Sequence, residues 1–266
     1  MNGTITDGRA GHIASWGHLV FSVTLIALGA MGLIKGGFDA TWPTLPKSTP
    51  AIGVLAYLSS FVYLMSGAGL LWRASAAAAS RVLLAYLLAW LVLVSVPQVF
   101  LLHPTLLAAW AFGREAVMVA AAWVLYVWFA GGRDAKRFGP LTGQRGLRIA
   151  RVLYGLALIP FGLAHFVYLK ETVVLIPGWL PFPVAWAYLT GGAFIAAGLA
   201  VLLSIHARLA AALSTLQMGV FLFVVWVPRV AAGKISDFQW GEFIVTWALT
   251  AAAWVVTDSY SSTRQP

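Results

Sequence analysis

The stretch Ala187-Tyr188-Leu189-Thr190 repeats Ala56-Tyr57-Leu58-Ser59 at a spacing of 131 residues, and this repetition decides how the chain is organised. Val227-Pro228-Arg229-Val230 repeats Val96-Pro97-Gln98-Val99 at the same spacing. Two ordered motifs at one spacing indicate an internal duplication. We therefore predict three regions: a first repeat over residues 1–132, a basic linker over 133–148 and a second repeat over 149–266.

The composition is typical of a membrane protein. Hydrophobic residues make up 61% of the chain, charged residues make up 9%, and the mean hydropathy is +0.87. A transmembrane helix needs roughly 20 apolar residues, and these stretches are too long and too continuously apolar for barrel strands. We count eight of them, at approximately 18–36, 51–72, 82–102, 106–130, 149–169, 183–204, 208–228 and 238–257. The sequence predicts an all-α polytopic membrane protein, with eight transmembrane helices arranged as two tandem four-helix bundles.

The positions of lysine and arginine predict the orientation of the helices. Eleven of the 17 Lys and Arg residues fall on the side of both termini, and the densest run lies in the linker over 133–148. Cytoplasmic segments carry this excess of positive charge, so we expect both termini to be cytoplasmic. The net charge of +9 is then explained by the orientation of the helices and by attraction to anionic lipid headgroups. We expect no nucleic-acid partner.

Polar residues gather at the predicted outer end of the second repeat. His165, Tyr188, Arg229 and Glu242 fall at similar predicted depths in different helices. An ionisable residue inside a membrane costs about 2.5 to 3.5 kcal/mol at the helix centre and often marks a functional site. These four could converge on a lipophilic ligand. They could also form a structural salt bridge, and Arg229 could simply reach the outer interface.

The first repeat offers a second polar set in the corresponding places. Lys35 stands where His165 is expected, Gln98 replaces Arg229, Tyr57 matches Tyr188, and Glu115 is paired with Glu242 at a spacing of 127. Glu115 follows Arg114, so its charge could be compensated locally. We treat Lys35, Tyr57, Gln98 and Glu115 as secondary candidates.

Several kinds of chemistry are not indicated by the sequence. The chain has no cysteine, so it performs no thiol redox chemistry of its own. We find no metal cluster or recognisable nucleophile. His103 and His165 are the one histidine pair at a plausible common depth for a haem, but His103 precedes Pro104 at a helix end, and we do not expect a haem.

The second half resembles the DoxX family of small four-helix bacterial inner-membrane proteins. The resemblance covers residues 149–257 and rests on Ile159-Pro160-Phe161-Gly162-Leu163-Ala164-His165-Phe166, Pro177-Gly178-Trp179-Leu180-Pro181, Trp186-Ala187-Tyr188-Leu189-Thr190-Gly191, Ala196-Ala197-Gly198-Leu199, Ala207-Arg208-Leu209-Ala210 and Val227-Pro228-Arg229-Val230. The first half matches more weakly and resembles a diverged duplicate.

This resemblance implies a bacterial inner-membrane location and a membrane subunit or partner of a redox or stress-response system. The family includes the membrane subunit of a thiosulfate:quinone oxidoreductase and a membrane partner of superoxide-detoxifying and sulfur-transfer enzymes. A quinone-like ligand and a soluble or membrane redox protein are therefore the expected partners besides the lipid bilayer. We expect a non-catalytic subunit more than a standalone enzyme, and a small-molecule or lipid transporter or a membrane scaffold remain alternatives.

Overall fold

The computed structural model describes residues 13–36, 51–102, 104–233 and 236–261. Within these ranges the chain is helical and forms no strand. The α-helices are α1 (Trp16–Lys35), α2 (Ile52–Leu71), α3 (Ala76–Trp90), α4 (Leu106–Phe129), α5 (Gly131–Phe138), α6 (Gly143–Val167), α7 (Leu169–Leu175), α8 (Pro183–Leu202), α9 (Ala207–Phe221), α10 (Val227–Ala231) and α11 (Asp237–Asp258).

Eight of the described helical segments are long and apolar enough to cross a membrane. They are α1, α2, α4, α6, α8, α11 and the continuous segments Ala76–Leu102 and Ala207–Ala231, which extend α3 and α9. The predicted all-helical, multi-pass architecture is thereby confirmed. The third segment begins six residues earlier than predicted, at Ala76, and α6 begins inside the predicted linker, at Gly143.

The second and third helices of the two repeats begin at matching positions. Helices α2 and α8 begin at Ile52 and Pro183, and α3 and α9 begin at Ala76 and Ala207. Both pairs of starting residues are 131 residues apart, the spacing of the sequence motifs. The motif spacing therefore recurs in the positions of these helices, whereas the first helices differ in length, with 20 residues in α1 and 25 in α6.

The third spanning segment of each repeat contains a π-helical turn at the same position. A π-helical turn follows α3 at Leu91–Ser95 and another follows α9 at Leu222–Trp226. Each precedes a proline, Pro97 or Pro228. A proline inside a helix cannot donate its backbone nitrogen to the carbonyl four residues earlier and its ring crowds that carbonyl, so a wider turn relieves both problems.

Close glycine contacts fix the register of the first helix in each repeat. A Cβ on Gly29 of α1 would lie 2.4 Å from the backbone nitrogen of Leu64, and a Cβ on Gly162 of α6 would lie 3.1 Å from that of Ile195. Leu64 and Ile195 are 131 residues apart, whereas Gly29 and Gly162 are 133 apart. The offset between the first helices of the two repeats is therefore two residues longer than the offset between the second helices. Both first helices pack tightly through small residues.

Helices of the two repeats also pack along one another. Within each repeat consecutive spanning helices are neighbours, but α1 packs on α11, α6 packs on α4, and α4 meets α11. Helix α4 is the most enclosed, with every residue from Glu115 to Tyr126 buried. The structure does not confirm the predicted division into two separate bundles, because the first helix of each repeat lies against the last helix of the other.

The predicted basic linker overlaps the short helix α5, which begins two residues before it at Gly131 and is tied to the first repeat. Arg81 on α3 makes a two-pronged ion pair with Asp134 on α5, with both N–O distances at 2.8 Å. The hydrogen bond from the Arg81 guanidinium holds the pKa of the Asp134 carboxyl below its usual value. Much of the linker is therefore ordered against the end of the bundle.

Candidate functional site

The structure gives each of the four primary candidates its own partner. No hydrogen bond, ion pair or ring contact among His165, Tyr188, Arg229 and Glu242 is found in the described part of the chain. The four therefore do not form one polar pocket, and each is considered separately.

Glu242 joins the two repeats. Its Oε1 lies 3.2 Å from an Nη of Arg114 on α4, and the two side chains are only 16% and 14% exposed. The guanidinium of Arg114 also lies 4.7 Å from the ring centre of Trp110. Sequence reasoning considered Arg114 as the partner of its neighbour Glu115, and the structure corrects this. The Glu242 contact favours the salt-bridge interpretation, with a partner from the other repeat.

Lys35 lies at the same end of this junction. Its Nζ is 5.9 Å from the ring centre of Trp240, at the start of α11. A cation near the face of an indole is weakly attracted to it. Lys35 is therefore a contact between repeats. It is not the counterpart of His165, because the 133-residue offset between the first helices makes Gly32 the position equivalent to His165.

Arg229 holds the short helix α7 in place. Its guanidinium donates to the carbonyl of Val225 at 2.7 Å and to the carbonyls of Val174 and Leu175, both at 3.1 Å. The last carbonyls of a helix have no partner inside the helix, and a cation there satisfies them. Arg229 thus satisfies backbone carbonyls at the end of α7.

His165 lies in an aromatic chamber, defined here as His165 with Phe161, Phe194 and Phe221. The imidazole stacks on Phe221 at 6.0 Å and contacts Phe194 at 5.6 Å, measured between ring centres. Its Nδ1 is 2.7 Å from the carbonyl of Phe161, and a carbonyl only accepts, so Nδ1 carries the proton. In the neutral ring Nε2 is then an acceptor, and no hydrogen bond to it is found among the described residues.

The tyrosine pair lies at the edges of the repeats. Tyr188 stacks on Phe166 at 5.6 Å and is 52% exposed, and Tyr57 is 50% exposed beside the turn at Gly36. Gln98 is half-buried at the start of a second π-helical turn, Gln98–Leu102, which ends the continuous segment that extends α3. These three residues line outer surfaces rather than a common pocket.

Glu115 is the most deeply placed carboxylate among the described residues. It is 3% exposed, and its Oε2 accepts a hydrogen bond from the hydroxyl of Ser95. Its Oε1 has no hydrogen-bond partner in the described chain. Ser95 ends the π-helical turn of α3, so the widened turn presents its hydroxyl to α4. Sequence analysis ranked Glu115 as secondary and missed Ser95, although a serine in an apolar helix was a usable signal.

The Glu115–Ser95 pair is particular to the first repeat. At the 131-residue spacing the equivalent positions are Thr246 and Trp226. Counted from the starts of α4 and α11, Glu242 lies about one turn closer to the helix start than Glu115, so the two glutamates are not equivalent in the structure.

A second polar contact is present in both repeats with different chemistry. The Tyr86 hydroxyl donates to the Ser59 hydroxyl, and at the matching positions the Gln217 side chain donates to the carbonyl of Thr190 at 3.0 Å. A hydrogen bond between membrane helices contributes about 0.6 kcal/mol on average. The duplication has kept this link while changing both residues.

Metal and haem sites were also considered. No group of three or more potential metal-ligating side chains occurs in the described ranges. His103, the other histidine considered for a haem, lies outside them.

Comparison with known proteins adds no identification. No protein-family model matches the chain, and no curated protein or solved structure matches it significantly.

Proposed function

We propose that this chain is a duplicated DoxX-like protein of the bacterial inner membrane, with cytoplasmic termini and two four-helix repeats. In this proposal it is a non-catalytic membrane subunit or partner of a redox or stress-response system. The second repeat binds a quinone-like, lipophilic molecule in the aromatic chamber at the predicted outer face. Motif resemblance supports the family, and the chamber supports the ligand.

The ligand proposal rests on the hydrogen bond and the ring contacts that the His165 imidazole makes. The rings of Phe194 and Phe221 contact an imidazole whose Nδ1–H is already used by the carbonyl of Phe161, and the Phe161 ring packs on Phe194. Flat rings stack favourably on aromatic side chains. The remaining Nε2 accepts a hydrogen bond, so the chamber suits a ring that carries a hydroxyl. A quinol, the reduced form of a quinone, has this chemistry.

In this proposal the ligand arrives from the membrane, past the exposed apolar side chains that follow α7. Arg229 fixes the end of α7, and the segment after α7 leads to Trp179 and Phe182, which are 73% and 78% exposed. Large apolar side chains that remain exposed on a membrane protein face lipid at little cost. A lipophilic molecule could therefore reach this end of the second repeat without crossing water.

The other primary residues take supporting roles in this proposal. Glu242 and Arg114 connect the repeats, and Arg229 positions α7. Tyr188 flanks the chamber through Phe166, on which it stacks. His165 alone is assigned to direct ligand contact.

Transport is a second candidate, favoured by Glu115. A buried carboxylate with one unpartnered oxygen in a membrane helix is the kind of group that proton-coupled carriers use. Proton-linked uptake that is lost in Glu115→Gln but kept in His165→Phe would favour this candidate over ligand binding in the chamber.

The ligand proposal is tested by titrating the full chain in nanodiscs with decylubiquinol and following tryptophan fluorescence. His165→Phe keeps an aromatic ring but removes Nε2, so we expect about tenfold weaker binding. Tyr188→Phe is the matched control, because it removes a polar group from a neighbouring position in the same repeat, and we expect it to bind like the wild type. Equal affinity in His165→Phe, or no binding by the wild type, would refute the proposal.

A further inference from the structure

A basic cleft lies at the opposite end of the second repeat, on the side of the termini. It occupies about 600 Å³ between the start of α6, the turn from α8 to α9 and the residues after α11. Its cationic side chains are Arg148, Arg151, Arg208 and, when protonated, His206. Among the residues that the structure describes, no aspartate or glutamate lines it.

Arg151 is held in place without losing its charge. Its guanidinium donates to the Ser259 hydroxyl at 3.1 Å and to the Ser259 carbonyl at 2.5 Å. It also lies 4.0 Å from the ring centre of Tyr260. All of these partners are neutral, so the arginine is oriented while its positive charge remains available to an anion.

Arg148 and Arg208 are exposed and take part in no ion pair found in the described chain. Asp258, the carboxylate at the end of α11, is directed elsewhere, since it accepts a hydrogen bond from the backbone nitrogen of Gly17 at 3.0 Å. The cleft therefore concentrates positive charge that no described carboxylate offsets.

The start of α9 adds backbone donors to the same cleft. Ala207, Arg208 and Leu209 form the first turn of this 15-residue helix and all line the cleft. The preceding residue, His206, makes no capping hydrogen bond with its side chain. The first amide groups of a helix lack partners within it and carry partial positive charge, which favours an anion.

Apolar side chains beside the cleft indicate where the anion comes from. Leu203, Ile205 and Leu209 are 66%, 56% and 56% exposed around the turn from α8 to α9. These side chains suit acyl chains, while the arginines lie in the N-terminal halves of α6 and α9. Basic pockets between membrane helices on the cytoplasmic side bind anionic lipid headgroups.

We propose that this cleft binds the phosphate group of an anionic phospholipid, with Arg148, Arg151 and Arg208 around the phosphate and the first turn of α9 donating to it. The site belongs to the second repeat only. At the equivalent positions of the first repeat the chain has Ser15, His18 and Ala77, and Arg81, one of the arginines on this side, is paired with Asp134.

The test is native mass spectrometry of the detergent-solubilised full chain titrated with dioleoylphosphatidylglycerol. We expect Arg148→Ala/Arg208→Ala to lower the affinity about tenfold or more, because each arginine near a headgroup contributes substantially. Both side chains are exposed, so the variant should fold, and unchanged thermal unfolding checks this. Arg73→Ala, at an exposed arginine on the same side of the first repeat, is the control and should bind like the wild type.

Two further titrations distinguish binding of an anionic lipid from general charge attraction and from binding of a soluble anion. Zwitterionic dioleoylphosphatidylcholine should bind more weakly than the anionic lipid, and inorganic phosphate should not displace the anionic lipid. An equal loss in Arg73→Ala, or no loss in the double variant, would overturn the proposal. Inorganic phosphate that binds with the same sensitivity to substitution and displaces the lipid would overturn the lipid assignment.

Discussion

The two repeats share a helical framework but differ in where they place polar side chains. The first repeat buries a carboxylate, Glu115, in its interior and pairs it with Ser95. The second repeat has Thr246 and Trp226 at those positions, and instead carries His165 in an aromatic chamber and an arginine-lined cleft at the other end. The shared glycine contacts maintain the fold, and the differing polar residues indicate separate roles for the repeats.

The largest expected effect comes from the contact that joins the repeats. Glu242→Ala removes the carboxylate that Arg114 binds in a largely enclosed position. We expect it to lower the free energy of unfolding by about 3 kcal/mol. Thermal unfolding in detergent measures this. Arg114→Met/Glu242→Leu should recover much of the loss, and a double variant no more stable than Glu242→Ala would contradict the ion-pair account.

The next effect tests whether the two repeats are packed equivalently. Gly29→Ala and Gly162→Ala each place a methyl group within 2.4 Å of backbone atoms of the neighbouring helix, so we expect each to cost about 1 to 3 kcal/mol. Gly192→Ala is the control, because a Cβ there meets nothing within 4 Å. Unfolding temperatures compare the three variants. A large loss in only one repeat would break the proposed equivalence.

An effect of similar size tests the polar pair that distinguishes the first repeat. Ser95→Ala leaves the buried Glu115 without its described hydrogen-bond donor and should cost about 1 to 3 kcal/mol. In a Glu115→Leu background the same substitution should cost much less. A double-mutant cycle of unfolding free energies gives the coupling. Additive effects would show that the serine does not act through the glutamate.

The smallest effect concerns the linker. The pKa of Asp134 is lowered by Arg81, so the stability that this pair contributes is present above the ordinary aspartate pKa of about 4 and is lost as the pH falls through the lowered value. We expect a slight extra loss of stability in that acidic range for the wild type relative to Asp134→Asn. Unfolding temperatures across that range test it, and parallel curves for the two proteins would exclude the linkage.

The sequence predicted the eight spanning helices more completely than the contacts between their side chains. Eight apolar stretches and two motifs spaced by 131 residues were sufficient for the eight helices, because membrane helices are local features of composition. The π-helical turns were not predicted. Each turn precedes a proline, Pro97 or Pro228, but a proline inside a helix is a sequence signal for a kink as much as for a widened turn.

The candidate site was predicted only in part. The intramembrane placement of His165 stays a prediction, and its match to Lys35 is not kept, because the contacts of Gly29 and Gly162 show a two-residue shift between the first helices. The partner of Glu242 could not be predicted, because Arg114 reaches it only through packing between repeats. That packing depends on the tertiary arrangement and leaves no local pattern.

The central claim is that the second repeat, through His165, is the ligand-binding half of a duplicated molecule. Photolabelling of the full chain in nanodiscs with an aryl-azide derivative of decylubiquinol, followed by peptide mapping, tests this most directly. The account predicts labels on α6, α8 and α9 that disappear in His165→Phe and persist in Tyr188→Phe. Labels on the first repeat, or labels on the second repeat that are unchanged in His165→Phe, would contradict it.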